Sequence, residues 1–269
     1  MKTEVSDRAF DGRVAVVTGA GSGMGRVEAL ALAAKGATVW VADISAESGS
    51  AVAREIEAAG GSARFVELDV TDPAAWARFV DEVEQRDGRL DGLVNNAGVS
   101  HRFGILDTTD EDWRRVMDVN LSSVFYGMRA LAPLMARAGG GSIVNVSSIS
   151  GLLGYFAAGY AASKWGVRGL SKTAALEFAD LGIRVNSIHP GLVETPLLNS
   201  GSSAFVEESL RGVPAGRVAD PNEIADTVLF LLSDSSTYIT GTEIVVDGGL
   251  TSGGIYHRIL SDLRERGDA

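Results

Sequence analysis

One stretch near the amino terminus decides the fold, and it reads Val14-Ala15-Val16-Val17-Thr18-Gly19-Ala20-Gly21-Ser22-Gly23-Met24-Gly25. It begins with a β-branched run and passes through a glycine cluster into an Ala/Leu-rich pattern that continues to Lys35, which is typical of a strand, a turn and a helix. Glycines let the backbone turn tightly and approach a phosphate group, and the amino-terminal end of a helix attracts negative charge. The stretch therefore predicts a cradle for the pyrophosphate of a dinucleotide. A turn that only packs the helix against the strand is the alternative.

The same alternation of short apolar runs and longer helical patterns continues along the chain. Strands that are apolar on both faces and alternate with helices form a parallel sheet covered on both sides. We therefore predict an α/β protein with a single doubly wound Rossmann fold over residues 1–269, in which residues 250–269 form a carboxyl-terminal extension. About six helices, including residues 110–138 and 157–181, accompany a seven-stranded parallel sheet with strands at residues 14–17, 38–41, 64–68, 90–94, 142–146, 183–188 and 243–246.

Composition and charge restrict the kinds of partner. The formal net charge of −11 repels nucleic acid and anionic membrane surfaces, so we expect neither as a partner. No cysteine is present, and His101, His189 and His257 show no ligand spacing, so we expect no metal. Residues 1–10 lack the apolar stretch of a secretory signal, and no run reaches the ~18 apolar residues of a membrane span. We expect a cytoplasmic protein that acts on a small molecule.

Asp43 ends the second predicted strand, where an acid can hydrogen-bond the ribose hydroxyls of a dinucleotide and repel a 2′-phosphate. Ser22 within the glycine turn is neutral, so no basic side chain is offered there to a second phosphate. The cofactor is therefore expected to be NAD, although Arg26 is the nearest cation and keeps NADP open. The alternative role of Asp43 is that of an acid at the start of a helix, where Ser45 could cap instead.

Tyr160 and Lys164 are four residues apart in a helical pattern, so their side chains leave the same face of the helix. An ammonium group next to a phenol stabilises the phenolate and lowers its pKa from about 10 toward the range useful for acid–base catalysis. We therefore expect Tyr160 to be a general acid and base. Pairs with this spacing are also common on helix surfaces, so an ordinary surface pair is the alternative.

A set of motifs in a fixed order resembles the short-chain dehydrogenases over roughly residues 11 to 250. The motifs are Thr18-Gly19-x-x-x-Gly23-x-Gly25, Asp69-Val70, Asn95-Asn96-Ala97-Gly98, Asn120, Ser148, Tyr160-x-x-x-Lys164 and Pro190-Gly191. Each motif alone is weak, but each follows the predicted strand that the family requires. The resemblance implies an oxidoreductase that interconverts a secondary alcohol and a ketone by hydride transfer to or from NAD.

The resemblance also implies roles for individual residues. Asp69 and Val70 would bracket the adenine, residues 95–98 would line the cofactor and stabilise the central sheet, and Lys164 would bind the nicotinamide ribose. The segment after Pro190 would hold the carboxamide of the nicotinamide through the Leu192 backbone and the Thr195 hydroxyl. The implied cofactor-binding residues are Gly19, Ser22, Gly23, Met24, Gly25, Asp43, Asp69, Val70, Asn96, Ala97, Gly98, Tyr160, Lys164, Pro190, Gly191, Leu192, Val193 and Thr195.

Two further catalytic residues, Ser148 and Asn120, follow from the same resemblance. Ser148 stands at the end of a predicted strand, twelve positions before Tyr160, and would hold the substrate oxygen. Ser150 is a less favoured substitute, and a serine that only forms a turn is the alternative. Asn120 would help hold a water that connects Lys164 to solvent, or it is a buried structural asparagine.

Apolar residues on both sides of the site predict a lipophilic substrate, such as a steroid-like, terpenoid or aromatic ketone, although the same residues could pack a lid or contact a second subunit. Residues 162–172 and 184–191 resemble bacterial 3α/20β-hydroxysteroid dehydrogenases, but they belong to the cofactor side and the core. Two alternatives remain: a β-ketoacyl thioester reductase, which Asp43 and the negative charge disfavour, and a non-catalytic dinucleotide-binding regulatory protein, in which loss of Tyr160 or Lys164 would be expected. The apolar residues are Leu152, Leu153, Tyr155, Phe156, Leu197, Leu198, Phe205, Val206 and Leu210.

The family resemblance implies a homotetramer, assembled through the helices around Asn120 and Tyr160 and through the final strand. Beyond Gly249 the chain continues further than is usual in the family. Residues 257–266 carry Ile259, Leu260 and Leu263 on one side, which predicts a short amphipathic helix that could cover a neighbouring subunit. Frayed disorder of this tail is the alternative.

Overall fold

The computed structural model describes residues 8–268, and the sheet at their centre is entirely parallel. Its strands are β1 (Val14–Thr18), β2 (Thr38–Asp43), β3 (Ser62–Glu67), β4 (Gly92–Asn95), β5 (Gly141–Val146), β6 (Ile183–Pro190) and β7 (Glu243–Val246). They lie in the order β3-β2-β1-β4-β5-β6-β7. The predicted doubly wound Rossmann fold with a seven-stranded parallel sheet is confirmed, with small shifts at the strand ends.

Helices cover both faces of the sheet. They are α1 (Gly23–Ala34), α2 (Ala46–Ala58), α3 (Pro73–Arg86), α4 (Asp110–Met117), α5 (Ser123–Arg137), α6 (Ala158–Glu177), α7 (Pro196–Asn199), α8 (Ser203–Leu210), α9 (Pro221–Leu232) and α10 (Leu250–Arg266). Several starts follow from the sequence, since Asp72 and Asp220 cap α3 and α9 just before a proline. The described residues hold more helices than the six predicted, because two short helices lie between β6 and α9 and the pattern at 110–138 is divided.

The helical pattern predicted over residues 110–138 is continuous from Asp110 to Arg137, but it contains a π-helical turn that was not predicted. Helix α4 ends at Met117, and a π-helical turn, Asp118–Ser122, joins it to α5. Periodicity in the sequence does not reveal the extra residue of such a turn, because the apolar positions on either side keep their helical spacing. The turn carries the buried Asn120, one of the predicted site residues.

Each central strand supplies apolar side chains to two separate cores. Val17 in β1 packs with residues of α1, α2 and α9, whereas its neighbour Val16 packs with residues of α3, α5 and α6. Side chains alternate between the two faces of a strand, so both faces of the sheet are covered. The neighbours of β1 in the sheet are β2 and β4. The chain leaves β1 toward β2 on one side and leaves β4 toward β5 on the other side, which opens a crevice between β1 and β4 at their carboxyl ends.

The carboxyl-terminal tail is helical over more residues than predicted. Helix α10 begins at Leu250 instead of residue 257, with a local break at Gly253. Arg258 of α10 forms an ion pair with Glu208 of α8 at 3.0 Å, and Asp262 of α10 forms one with Arg211, the residue that follows α8. The alternative of a frayed tail is therefore wrong, and the tail packs against its own chain.

Two expectations concern membranes and targeting. Among residues 8–268, no helix is both long enough and apolar enough to cross a membrane. The expectation about a secretory signal falls mostly on residues 1–7, which lie outside the described residues.

Helix α1 carries a buried acid that has no partner. Glu28 is fully buried, and neither of its carboxyl oxygens forms a hydrogen bond. Burial in apolar surroundings penalises the ionised form, which raises the pKa of Glu28 from 4.5 to about 8. The folded protein therefore holds this proton more tightly than the unfolded chain does. The stability that comes from this tighter proton binding at Glu28 is fully present below pH 4.5 and is lost as the pH rises toward 8.

We expect Glu28→Gln to remove this pH dependence, because the amide does not ionise. Between pH 5 and pH 8, the free energy of unfolding of the native chain should fall relative to that of the variant by on the order of 3 kcal/mol. Urea unfolding at a series of pH values measures the difference. Glu57→Gln, at an exposed position of α2, is the control and should follow the native profile. Parallel profiles for the native chain and Glu28→Gln would contradict the prediction.

Candidate active site

Two adjoining cavities lie along the carboxyl ends of the central strands. The first, of about 340 Å³, is lined by the loops after β1 to β5, and the second, of about 370 Å³, by the loops after β5 and β6 together with α7 and α8. They share five lining residues and therefore form two ends of one cleft. The shared residues are Met24, Ser147, Tyr160, Thr195 and Leu197.

Most predicted site residues line this cleft. Gly25 and Asn120 line neither cavity. The predicted residues that line the second cavity but not the first are Ser148, Pro190, Gly191, Leu192 and Val193. Those that line the first cavity are Gly19, Ser22, Gly23, Met24, Asp43, Asp69, Val70, Asn96, Ala97, Gly98, Tyr160, Lys164 and Thr195.

The glycine loop after β1 is in close contact with the loop after β4. Gly19 has a φ of +64°, and a Cβ atom there would lie 2.9 Å from the Ala97 Cα. A Cβ atom at Gly25 would lie only 2.4 Å from the Asn96 side-chain nitrogen. Side chains are therefore excluded at both positions, although Gly25 does not line the cavity.

Hydrogen bonds hold the two loops together as one unit. The Thr18 hydroxyl accepts from the backbone N–H groups of Asn96, at 3.0 Å, and Ala97, at 3.1 Å. In return, the Asn96 side-chain amide donates to the Thr18 carbonyl at 3.0 Å. The side chain of Ser22 forms no capping hydrogen bond at the start of α1. The first N–H groups of α1 therefore face the cavity without a side-chain acceptor and can bind an anion.

Asp43 lies at the end of β2 and is fixed by two backbone donors. One carboxylate oxygen accepts from the Gly21 N–H at 2.8 Å, and the other accepts from the Ser45 N–H at 2.9 Å. Ser45 caps α2 through its own hydroxyl, so Asp43 is not the capping residue. Arg26, the cation that kept NADP open, forms an ion pair with Glu55 at 2.6 Å and does not line the cavity.

Asp69 and Val70 form the edge of the first cavity near β3. Asp69 accepts from the backbone N–H of Thr71 at 2.9 Å and from its hydroxyl at 2.7 Å, and the Val70 carbonyl accepts from the Trp76 indole N–H at 3.0 Å. These bonds stiffen the loop after β3. The pair lies at the end of the cleft predicted for the adenine.

Tyr160 and Lys164 lie on one face of α6, as their spacing predicts. Lys164 is only 4% exposed, donates to the Val146 carbonyl at 2.9 Å, and lies with its Nζ atom 5.7 Å from the centre of the Tyr160 ring. Tyr160 is partly exposed and faces both cavities. The pair is therefore not an ordinary surface pair.

The expected lowering of the Tyr160 pKa is not found. Burial raises the pKa of Tyr160 above its usual value, and the nearby Ser148 hydroxyl, which can hydrogen-bond the phenolate, opposes that rise. Burial also lowers the pKa of Lys164 to about 8. The sequence-based argument was wrong because it counted the charge of the lysine and not the loss of water around the phenol.

Ser148 is held from behind by a histidine that the sequence argument considered only as a metal ligand. The Ser148 carbonyl accepts a hydrogen bond at 3.0 Å from Nδ1 of His189, which must therefore carry the hydrogen. Nε2 of the same ring accepts from the Ser187 hydroxyl at 3.0 Å. Burial lowers the pKa of His189 and keeps the ring neutral. Nothing in the local sequence indicates this role, which arises because β6 lies beside β5.

Asn120 is fully buried, and both its amide nitrogen and its amide oxygen form hydrogen bonds within the protein. Its amide nitrogen donates to the Val99 carbonyl at 2.9 Å and to the Ser163 hydroxyl at 3.2 Å, while its oxygen accepts from the Val99 N–H at 2.8 Å. These contacts support the structural alternative for the side chain, which connects the π-helical turn to the loop after β4 and to α6. Its predicted role in holding a water stays a prediction.

The segment after Pro190 lies at the second cavity. Thr195 also reaches the first cavity, and its hydroxyl donates to the Val193 carbonyl at 3.2 Å while it accepts from the Leu198 N–H at 3.2 Å. It thereby caps α7. The predicted role of this segment in holding the carboxamide of the nicotinamide stays a prediction.

The second cavity has an apolar wall with polar groups at defined points. The rings of Phe156 and Phe205 meet edge to face at 5.6 Å, which brings α8 against the loop after β5. Several lining residues were not predicted, among them Arg102 from the loop before α4 and Leu250 from the start of α10. Of the predicted apolar residues, Leu152, Leu153, Val206 and Leu210 do not line this cavity, whereas Tyr155, Phe156, Leu197, Leu198 and Phe205 do.

The first cavity fits an extended dinucleotide. Asp43 ends β2 and Lys164 donates to the last residue of β5, and three sheet intervals separate these strands, or roughly 14 Å. Between them lie the glycine loop and the uncapped start of α1, where the pyrophosphate would be held. Among residues 8–268, no group of three or more His, Cys, Asp or Glu side chains could hold a metal ion.

Comparisons with known proteins give a consistent result. Residues 19–251 match the family model described as Enoyl-(Acyl carrier protein) reductase. Trans-4-hydroxycyclohexanecarboxylate dehydrogenase of Sinomonas cyclohexanicum is 44% identical over 258 residues, which are 93% of this chain and 97% of the relative. The 3-alpha-(or 20-beta)-hydroxysteroid dehydrogenase of Mycobacterium tuberculosis (strain H37Rv) is 48% identical over 243 residues, 90% of each chain. Cyclohexanol dehydrogenase of Acinetobacter sp. (strain SE19) is 44% identical over 254 residues, 93% of this chain and 99% of the relative.

Solved structures agree over nearly the whole chain. A putative short-chain dehydrogenase/reductase from Burkholderia xenovorans is 37% identical, with a TM-score of 0.86 over 91% of this chain and 98% of the other. A gluconate 5-dehydrogenase from Burkholderia cenocepacia, in complex with NADP and tartrate, is also 37% identical, with a TM-score of 0.87 over 92% and 98%. The predicted resemblance is confirmed: the chain belongs to the short-chain dehydrogenase/reductase family, whose members bind a nicotinamide dinucleotide.

Proposed function

We propose that the protein is an NAD(H)-dependent dehydrogenase that interconverts a cyclic secondary alcohol and the corresponding ketone. The observation that carries the proposal is the position of Tyr160, where the two cavities meet, with the buried Lys164 on one side and the Ser148 hydroxyl on the other. A substrate oxygen in the second cavity can reach the phenol and the serine together. The relatives named for cyclohexanol and for hydroxysteroids support oxidation of a ring carbinol.

Proton transfer is assigned to Tyr160. In ketone reduction the phenol gives its proton to the developing alkoxide, and in alcohol oxidation the phenolate takes the proton from the hydroxyl. Burial raises the pKa of Tyr160, so the free protein holds a neutral phenol, which is the form required for reduction. Ser148 binds the substrate oxygen, and the hydrogen bond from His189 to its carbonyl fixes the backbone of that serine. A nicotinamide held in the first cavity would supply or accept the hydride.

NAD is the proposed cofactor because of the charge around Asp43. Its carboxylate lies at the rim of the first cavity and would repel a 2′-phosphate, and Arg26 is paired with Glu55. Among the residues that the structure describes, Lys164 is the only cation lining this cavity, and it belongs to the opposite end of the cleft. The NADP complex of the gluconate 5-dehydrogenase makes the choice worth a direct test.

We further propose a homotetramer. Large apolar side chains are exposed on the helices that carry Asn120 and Tyr160 and on the last strand, where water contact is unfavourable unless a second subunit covers them. They are Trp113 on α4, Phe125 on α5, Trp165 and Leu176 on α6, and Val245 on β7.

We expect Tyr160→Phe to lower kcat for cyclohexanol oxidation by about 10²- to 10⁴-fold, because the proton acceptor is lost. Binding of NADH, followed by its fluorescence, should change little. Tyr238→Phe, which removes a hydroxyl from a fully exposed ring, is the control and should keep native activity. If the native chain binds NADH but turns over no alcohol or ketone in a panel of secondary alcohols, the protein is a non-catalytic binder instead.

We expect Asp43→Asn to shift the ratio of kcat/KM for NAD over NADP by at least about tenfold toward NADP, because the repelling charge is removed. Asparagine keeps an acceptor oxygen for only one of the Gly21 and Ser45 N–H groups, because its amide nitrogen is a donor, so the ratio of the two kcat/KM values and not either value alone is the readout. Glu47→Gln is the control, since this acid of α2 lies outside the cavity. An unchanged ratio in Asp43→Asn would remove the basis for choosing NAD.

We expect light scattering to give four times the chain mass of 28.1 kDa. The pair Phe125→Asp and Trp165→Asp places charges on α5 and α6 and should reduce the mass to that of a dimer or a monomer. Circular dichroism checks that the variant remains folded. A native chain that is monomeric at every concentration would contradict the proposed tetramer.

A further inference from the structure

We infer that the second cavity contains a binding site for a carboxylate, formed by Arg102, and that the preferred substrates are ring alcohols that carry a carboxylate across the ring from the reacting hydroxyl. The inference rests on the proposed dehydrogenase function and deepens it by naming the substrate class. It was not predicted from the sequence, because Arg102 lies in an irregular loop between β4 and α4.

Arg102 is a cation inside the cavity whose charge is not neutralised. Its guanidinium donates to the Leu197 carbonyl at 2.6 Å and to the Ser200 hydroxyl at 3.0 Å, and it adjoins the phenol of Tyr155. All three partners are neutral. Among residues 8–268, no Asp or Glu forms an ion pair with it.

The guanidinium also keeps free donors. It has five N–H groups in a planar fork that matches a carboxylate. Leu197, Ser200 and Tyr155 use at most three of them. Two donors therefore remain for a ligand, and a paired contact from Arg to a carboxylate is among the stronger hydrogen-bonded interactions in proteins.

Arg102 and the reacting phenol line the same cavity. The Tyr155 ring, which Arg102 adjoins, lies 6.1 Å from the Tyr160 ring between centroids. Burial raises the pKa of Tyr160, and the charge of Arg102 is close enough to oppose that rise. A molecule with its hydroxyl at Tyr160 can therefore extend toward Arg102, with its apolar ring against Phe156 and Phe205.

The charge of the whole chain makes this local cation significant. A net charge of −11 repels an anionic substrate at long range, so a carboxylate gains affinity only where a positive group is presented at short range. Lys164, the other cation near the reacting end, is buried and donates to the Val146 carbonyl. Arg102 is thus the group available to the outer part of the substrate.

A second role for Arg102 makes a different prediction. Leu197 and Ser200 belong to α7 and its end, so the guanidinium could serve only to hold α7 over the cavity. Loss of such a contact would weaken the binding of every substrate equally. Loss of a carboxylate site would affect charged substrates alone.

The experiment compares 4-hydroxycyclohexanecarboxylate with cyclohexanol in the protein loaded with NAD. For the native chain we expect kcat/KM to be higher for the hydroxy acid. In Arg102→Gln we expect kcat/KM for the hydroxy acid to fall by about 10- to 100-fold, mainly through KM, and that for cyclohexanol to change by less than about threefold. Arg102→Lys should recover part of the loss. Ser200→Ala, which removes one contact to α7 and keeps the charge, should affect both substrates to the same extent.

Binding tests the site without turnover. Calorimetry with the NADH-loaded protein should give tighter binding of cyclohexanecarboxylate than of the neutral cyclohexanecarboxamide, and Arg102→Gln should abolish the difference. Equal losses for both alcohols in Arg102→Gln, or equal binding of acid and amide by the native chain, would overturn the carboxylate site and leave the dehydrogenase function intact. Selective binding of the acid without oxidation of either alcohol would support the site and count against the dehydrogenase function.

Discussion

The site depends on the contact between the loop after β1 and the loop after β4. Thr18 and Asn96 exchange hydrogen bonds across it, and Gly25 leaves the space that the Asn96 amide needs. The loop after β4 continues to Gly98, where a Cβ atom would lie 3.6 Å from the Lys164 Nζ. One set of hydrogen bonds and close contacts therefore aligns the proposed phosphate cradle with the proposed reacting end of the cleft, so the two ends cannot shift independently.

Lys164 and Tyr160 show how burial would prepare the proposed reaction. The ammonium is removed from water and is compensated by one carbonyl, that of Val146. Burial lowers the pKa of Lys164 to about 8, so the group remains mostly charged at neutral pH. Burial raises the pKa of Tyr160, which favours the neutral phenol. The pair thus carries one positive charge and one proton ready for donation, in surroundings where each responds strongly to a charged ligand.

Local patterns predicted what local forces determine. Strands such as β1 and β5 follow from their apolar runs, and the common face of Tyr160 and Lys164 follows from their spacing on a helix. The hydrogen bond from His189 to Ser148 and the position of Arg102 in the cavity were not predicted, because they depend on contacts between distant segments. The π-helical turn was not predicted because local periodicity does not reveal it. The direction of the Tyr160 pKa shift was not predicted either, because desolvation depends on which segments cover the phenol.

The proposed reacting groups and the outer wall of the cavity differ in how firmly they are held. Ser148 follows β5 and Tyr160 lies on α6, both of which belong to the packed layers. Helix α8, in contrast, buries none of its residues, and exposed ion pairs such as Glu208 to Arg258 link it to α10. Exposed ion pairs contribute little to stability, so this wall can change its shape at low cost. The tail that begins at Leu250 also lines the cavity, and substrate choice can therefore vary through α8 and α10 without disturbing the proton-transfer chemistry.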